Sequence, residues 1–190
     1  MAWGTRDREL MVRFGKGEIK AFEKLYARHK GPLYRYFLRL GLDAESAAEL
    51  MQEVWVKVIR TKERYEPTAR FTTWLYRIAH TTLVDRYRRS AQKIAHKSAG
   101  ADFDLSELPA ADSANPEAAA IRDEAAVRLR AALAELPDEQ REAFILKLEA
   151  ELSLADIAHV TGVGAETAKS RLRYAYGKLR RRMADGETGI

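Results

Sequence analysis

Two stretches of this 190-residue sequence place side chains in spacings that chemistry could use. The first, "RTKERYEPTARFTTWLYRIAHTTLVDRYRR", interleaves Tyr65, Phe71, Trp74, Tyr76 and Tyr87 with Arg60, Arg64, Arg70, Arg77, Arg86, Arg88 and Arg89. Aromatic planes stack on unpaired bases, worth about 1–3 kcal/mol per base, and neighbouring guanidinium groups neutralise phosphate. Pro67 marks a loop suited to holding a base flipped out of a duplex. Trp74 and Tyr76 serve a hydrophobic core equally well, whereas the arginines do not. The second stretch, "VGAETAKSRLRYAYGKLRRRM", contains no acid from Thr167 to Ala184. It offers Glu166, Thr167, Lys169, Ser170, Arg171, Arg173 and Tyr174 as donors and acceptors. Arginine pairs with guanine in a bidentate way, lysine neutralises phosphate and short hydroxyls bond either. Lys178 and Arg180 to Arg182 suit a phosphate backbone and also the negative end of a helix dipole. A third set, Glu45, Glu49 and Glu53 at i+4 spacing with Asp85, could line a metal site for phosphate-ester hydrolysis. Glutamates at that spacing are also ordinary solvated helix formers, and no histidine accompanies them.

These side chains need helices to present them. Ser153, with Asp156 three residues on, approximates a capping box that starts a short helix with Leu154, Ile157 and Ala158 on its apolar face. Gly162 stops it, and Ala168, Leu172, Ala175 and Leu179 then mark one stripe of a second helix. Gly164 precedes that helix where Ser or Asp would have supplied a capping oxygen. Two helices crossing closely through small residues form a helix-turn-helix, whose second member enters the major groove. A basic face alone would say only that the helix is solvated; the tight turn and the small-residue stripe are what make it a reader.

Upstream, a helix beginning near Thr72 turns Leu75, Ile78, Ala79 and Thr82 inward and Trp74, Arg77, Thr81 and Arg88 outward. "DAESAAELMQEVWVKVIR" buries Leu50, Met51, Val54, Trp55, Val58 and Ile59. Its other face carries Glu49, Gln52, Glu53, Val56 and Arg60. Val56 among polar groups fits a small protein-docking face, although single exposed apolar residues are commonplace.

The patterning is helical throughout, without sustained period-two alternation, so the fold is expected to be all-α. From Glu9 to about Arg89 aromatic and aliphatic residues predict three or four packed helices, broken at "KGPLY" and "RLGLDAES". Residues 98–120, "SAGADFDLSELPAADSANPEAAA", hold five acids, no base and two prolines. Such a segment buries little and reads as a flexible acidic linker able to span roughly 75 Å. A second compact unit follows over 121–184, and "DGETGI" reads as a loose tail. The excess of 33 Lys and Arg over 28 Asp and Glu is small, so the distribution of charge matters more than its sum. With no cysteine there is no disulfide framework or thiolate metal site, which fits a reducing cytoplasm. The start, "MAWGTRDREL", lacks an apolar signal core, and no apolar run approaches the ~18 residues needed to cross a bilayer.

Taken in order, "AFEKLYARHKGPLYRYFLR", "AELMQEVWVKV", "RFTTWLYRIAHTTLVDRYRR" and "LPDEQREAFILKLEAELSLADIAHVTGVGAETAKSRLRYAYGKLR" resemble the extracytoplasmic-function sigma factors of bacterial RNA polymerase. The strongest marks are "QEVW", "TTWLYRIA" with "DRYRR", and "LPDEQREAF" ahead of "TAKSRL". The resemblance implies a helical-bundle sigma domain 2 over 1–97, a linker over 98–120, and a helix-turn-helix sigma domain 4 over 121–184. It implies that Glu49, Gln52, Glu53 and Val56 lie on the helix that docks to polymerase core. The partner there would be the clamp of the largest subunit, with the flap as a further contact. Residues Tyr65 to Trp74, which include Arg70 and Phe71, with Arg77 and His80, would recognise and open the minus-10 element. Arg64 and Arg88 join them from the arginine pattern. Glu166, Thr167, Lys169, Ser170, Arg171 and Tyr174, with Arg173 beside them, would read the minus-35 element. His80 stands where many members have asparagine, and Tyr174 where many carry a base. The implied partners are core polymerase, promoter DNA and a dedicated anti-sigma protein, with no metal, cofactor, catalysis or membrane insertion, in a bacterial cytoplasm. The alternative is a helix-turn-helix regulator acting without polymerase, for which no dimer seam is visible.

Overall fold

A computed structural model of the chain describes residues 3–95 and 127–185, and no strand occurs among them. The expected linker at 98–120 lies outside the described residues. Helix α1, Trp3–Gly15, packs Leu10, Met11 and Phe14 inward. Helix α2, Ile19–Arg39, is continuous through Pro32, so the break expected at "KGPLY" is absent. A proline inside a helix costs about 3 kcal/mol. Burial of Ala21 and Leu25 before it, and of Leu33, Tyr36, Phe37 and Leu38 after it, offsets that cost.

The break at "RLGLDAES" is present: Gly41 takes φ 97°, a left-handed conformation open to glycine, and turns the chain. Asp43 then caps α3, Ala44–Thr61, by accepting from the Ser46 amide at 2.8 Å. Leu50, Val54, Trp55 and Val58 form the buried stripe of α3, but Ile59 is 43% exposed and leaves the expected inward face. It lies one residue past Val58, about 100° around the helix. A 3-10 turn, Lys62–Arg64, and a loop lead to α4, Phe71–Ala95.

In the second half, α5 spans 127–134, α6 Asp138–Glu149, α7 Leu154–Thr161 and α8 Ala165–Asp185. The capping box read from Ser153 and Asp156 is present in full. Gly162, at φ 69°, ends α7 in a left-handed C-cap. Ala168, Ala175 and Leu179 are buried with Leu172 packed beside them, as the stripe requires. Helix α8 runs on through Asp185, the first residue of the expected tail.

The two halves do not keep separate cores. Ile145, Leu146, Leu152, Ile157 and Val160 join one cluster with Leu33, Phe37, Phe71 and Leu75, through contacts of α6 on α2 and α7 on α4. A smaller cluster of Leu133, Leu136, Phe144, Ala175 and Leu179 holds α5, α6 and α8 together.

Candidate nucleic-acid interface

Helix α8 presents its polar side to solvent because the alanine and leucine stripe fixes its rotation against α6 and α7. Glu166, Thr167, Lys169, Arg173 and Tyr174 are exposed, while Ser170 and Arg171 are half-buried. The groups are loosely pre-arranged: Lys169 lies 3.7 Å from Glu166, and Ser170 donates to the Thr167 carbonyl at 2.9 Å. Arg173 stacks over the Tyr174 ring at 5.1 Å. The side chains expected to read duplex DNA thus lie on the exposed and half-buried sides of α8, away from its buried stripe, and the exposed pairs among them cost little to break. Arg182 at the far end is held by Glu135, while Lys178, Arg180 and Arg181 stay exposed.

The aromatic residues upstream divide differently from the expectation. Tyr76 is buried at 1%, Phe71 at 0% and Tyr65 at 8%, so these three are core groups and offer no free face to a base in this conformation. Burial pushes the Tyr65 and Tyr76 hydroxyls above the ordinary phenol range. Trp74, half-buried, packs edge-on to Tyr65 at 5.1 Å and close to Phe71 at 6.1 Å. The spacing of aromatics could not separate core from surface here, because helix α4 is apolar around much of its circumference. Arg64 and Arg88 are exposed.

The remaining members of the set meet the second half of the chain. Thr73 Oγ1 donates to Asp156 Oδ1 at 2.8 Å. Arg77 Nη1 donates to the carbonyl oxygens of His159 and Val160, and Arg70 reaches the Glu151 carbonyl. Glu142 Oε1 accepts from Tyr36 Oη at 2.7 Å and lies 2.7 Å from His80 Nδ1. Burial first, and then the Glu142 carboxylate, push the Tyr36 hydroxyl well up. Burial alone would raise Asp156, but hydrogen bonds from Ser153 and Thr73 outweigh it and hold the carboxyl below its usual range. Arg141 binds the Leu40 carbonyl at 3.1 Å as well as those of Leu133, Ala134 and Leu136. Sequence reasoning missed Thr73, Glu142, Glu149 and Arg141. Their partners in the other half, Arg35 in the case of Glu149, are separated from them by 62 to 114 positions, with no local pattern to mark them.

On α3, Gln52 and Val56 are exposed, and Ile59 extends the apolar strip one turn on from Val56. The i, i+3 spacing of Val56 and Ile59 was the available signal. Glu49 pairs with Arg86 at 2.9 Å, Glu53 with Lys57 at 3.1 Å and Arg89 at 3.5 Å, and Asp85 with Arg88 at 3.1 Å. Three of the four carboxylates considered for a metal, Glu49, Glu53 and Asp85, thus face bases, and no group of three potential metal ligands converges among the described residues.

Two family descriptions match the chain: Sigma-70 region 2 over residues 25–93, and Sigma-70, region 4 over residues 126–179. The chain is 32% identical to the RNA polymerase sigma factor CarQ of Myxococcus xanthus over 95% of this chain and 99% of that one. It is 30% identical to the ECF RNA polymerase sigma factor SigM of Mycobacterium tuberculosis H37Rv, covering 97% and 88%. In fold it is similar to CnrH, solved with the cytosolic domain of CnrY, with a TM-score of 0.67 at 22% identity, covering 96% and 99%. It is likewise similar to RpoE of Bartonella quintana, solved with the anti-sigma factor NepR, with a TM-score of 0.74 at 21% identity, covering 87% and 98%. An all-helical pair of units, one ending in an exposed helix-turn-helix, is the architecture of a promoter-reading initiation factor. The chain belongs to the extracytoplasmic-function sigma factors, which direct RNA polymerase to specific promoters.

Proposed function

We propose that residues 1–97 act as the unit that docks to polymerase core and captures the melted minus-10 strand. Residues 98–120 act as the linker, and residues 121–184 read minus-35 duplex. The observation that supports this division most directly is the open polar face of α8, built on a capped helix and a left-handed glycine turn. Glu166, Thr167, Lys169, Ser170, Arg171, Arg173 and Tyr174 meet base edges and phosphates from it. On α4 and the loop before it, Arg64, Arg70, Arg77, His80 and Arg88 hold the opened strand, with the half-buried Trp74 as the aromatic beside them. Tyr65 and Phe71 act from beneath, by fixing Trp74 and the start of α4. Glu49, Gln52, Glu53 and Val56 dock against the clamp of the largest subunit, and α6 to α8 meet the flap.

The chain contributes binding and strand selection, and core polymerase performs the chemistry. It works in the bacterial cytoplasm, and a dedicated anti-sigma protein holds it inactive; RpoE, a fold neighbour, was solved with the anti-sigma factor NepR. The test is reconstitution of the purified chain with core enzyme on a fragmented genomic library, with initiation sites sequenced. Initiation should concentrate at promoters sharing two elements, and starts no different from those of core alone would overturn the reading.

A further inference from the structure

Helix α1 lies outside the region 2 match, which begins at residue 25, yet it touches both elements that flank the loop assigned to the opened strand: the 3-10 turn Lys62–Arg64 and α4. The Phe14 ring lies 4.9 Å from Lys62 Nζ. Gly15 brings the end of α1 so close that a methyl group there would stand 3.3 Å from the Lys62 carbonyl oxygen. Nearer the start of α1, the enclosed Asp7 takes Arg28 Nη1 at 2.5 Å and His29 Nε2 at 2.8 Å. The His29 ring stands 5.1 Å from that of Phe71, and Phe71 in turn lies 6.1 Å from Trp74 and 6.4 Å from Tyr65. The Tyr65 hydroxyl closes the loop by donating to the Ala69 carbonyl at 3.3 Å.

A carboxylate is not required to bury this part of α1, because apolar side chains of similar volume stabilise a fold as well or better. What Asp7 adds is direction. An ionised carboxylate only accepts, so His29 donates from Nε2, and an imidazole pinned at that atom meets Phe71 in one orientation. We propose that α1 is a positioning element for strand capture, with Asp7 as its positioning residue. Asp7 acts through His29 and Phe71 to set Trp74 and the loop from Tyr65 to Arg70 in the geometry that selects minus-10 bases. Being enclosed, it touches no base itself. The inference rests on the minus-10 assignment made above.

The test uses the full chain in holoenzyme. Its probes are two template libraries built on one promoter identified by genomic reconstitution, with the minus-10 element randomised in one and the minus-35 element in the other. Each template carries a barcode in its transcribed part, so transcript counts give the preference at every position. Native holoenzyme should discriminate by about fivefold or more at the positions the loop reads. Asp7→Asn should cut that to about twofold or less, as a displaced reading group does, and leave the minus-35 preferences unchanged. His29→Gln should act alike, and the double variant should be no worse than the poorer single one, because both act along one path. The control is Leu38→Ala, a comparably destabilising core change at a buried site about 13 Å along α2 from His29. It should keep the native preferences in both libraries.

Trp74→Ala, made in parallel, separates the two levels of the reading. If it erases the minus-10 preference while Asp7→Asn behaves as Leu38→Ala does, the positioning role of α1 is overturned and the minus-10 assignment stands. Equal losses in both libraries for Asp7→Asn, or additive losses in the double variant, overturn the positioning role in the same way. If Trp74→Ala leaves the minus-10 preference intact, the assignment itself fails, and the inference with it.

Discussion

Replacing Asp7 by asparagine tests how α1 positions the start of α4. Asp7 is 3% exposed and accepts from Arg28 Nη1 at 2.5 Å, with His29 Nε2 at 2.8 Å from its second oxygen. The His29 ring in turn lies 5.1 Å from Phe71, the first residue of α4. Removing one member of a buried ion pair costs about 3–5 kcal/mol. Here the Arg28 side chain is 30% exposed, and asparagine keeps one acceptor, so Asp7→Asn should cost about 2–3 kcal/mol. With a urea slope of about 2 kcal/mol/M for a unit of this size, the midpoint should fall by about 1–1.5 M at neutral pH. Burial by itself would raise the Asp7 carboxyl, but the hydrogen bonds from His29 and Arg28 more than reverse it, and the group sits below the usual carboxylate range. A depressed folded-state value means that the stabilisation is complete above the unfolded value of about 3.9 and is lost as pH falls through the folded value. The gap between native and Asp7→Asn midpoints should therefore close as pH falls below the unfolded carboxylate value of about 3.9 and through the lower folded one. Equal midpoints at pH 7, or a gap that persists undiminished to about pH 2, would refute the reasoning.

Four further outcomes are expected. Arg171→Ala should relax selectivity at one promoter position by roughly 1–3 kcal/mol in competition binding of holoenzyme to promoter variants; a uniform loss would make Arg171 a phosphate contact. Gln52→Ala with Glu53→Ala should weaken binding to core polymerase, measured by interferometry, with an unchanged thermal midpoint, since Glu53 makes only surface ion pairs. Ala168→Leu should destabilise the chain by about 1–3 kcal/mol in urea, because Ala168 has no exposed surface where α8 meets α7. Glu151, at φ 49°, is a non-glycine residue in the left-handed region, and Glu151→Gly should stabilise by up to about 1 kcal/mol in thermal denaturation.

The helix-turn-helix was the most legible part of the chain because its determinants are local. Ser153 and Asp156 cap within one turn, Gly162 supplies one conformation, and the stripe from Ala168 to Leu179 repeats within a single helix. The same locality made α4 ambiguous. Phe71 and Tyr76 follow the spacing of a surface reader, yet they are buried, Phe71 beside the His29 ring and Tyr76 edge-on to Tyr36, both on the distant helix α2. Pro32 misled for a related reason: local chemistry predicts a break, and six buried side chains along α2 outweigh it. The joint between the halves left no trace in sequence, since Leu146, Ile157 and Val160 read as core residues whichever core they join.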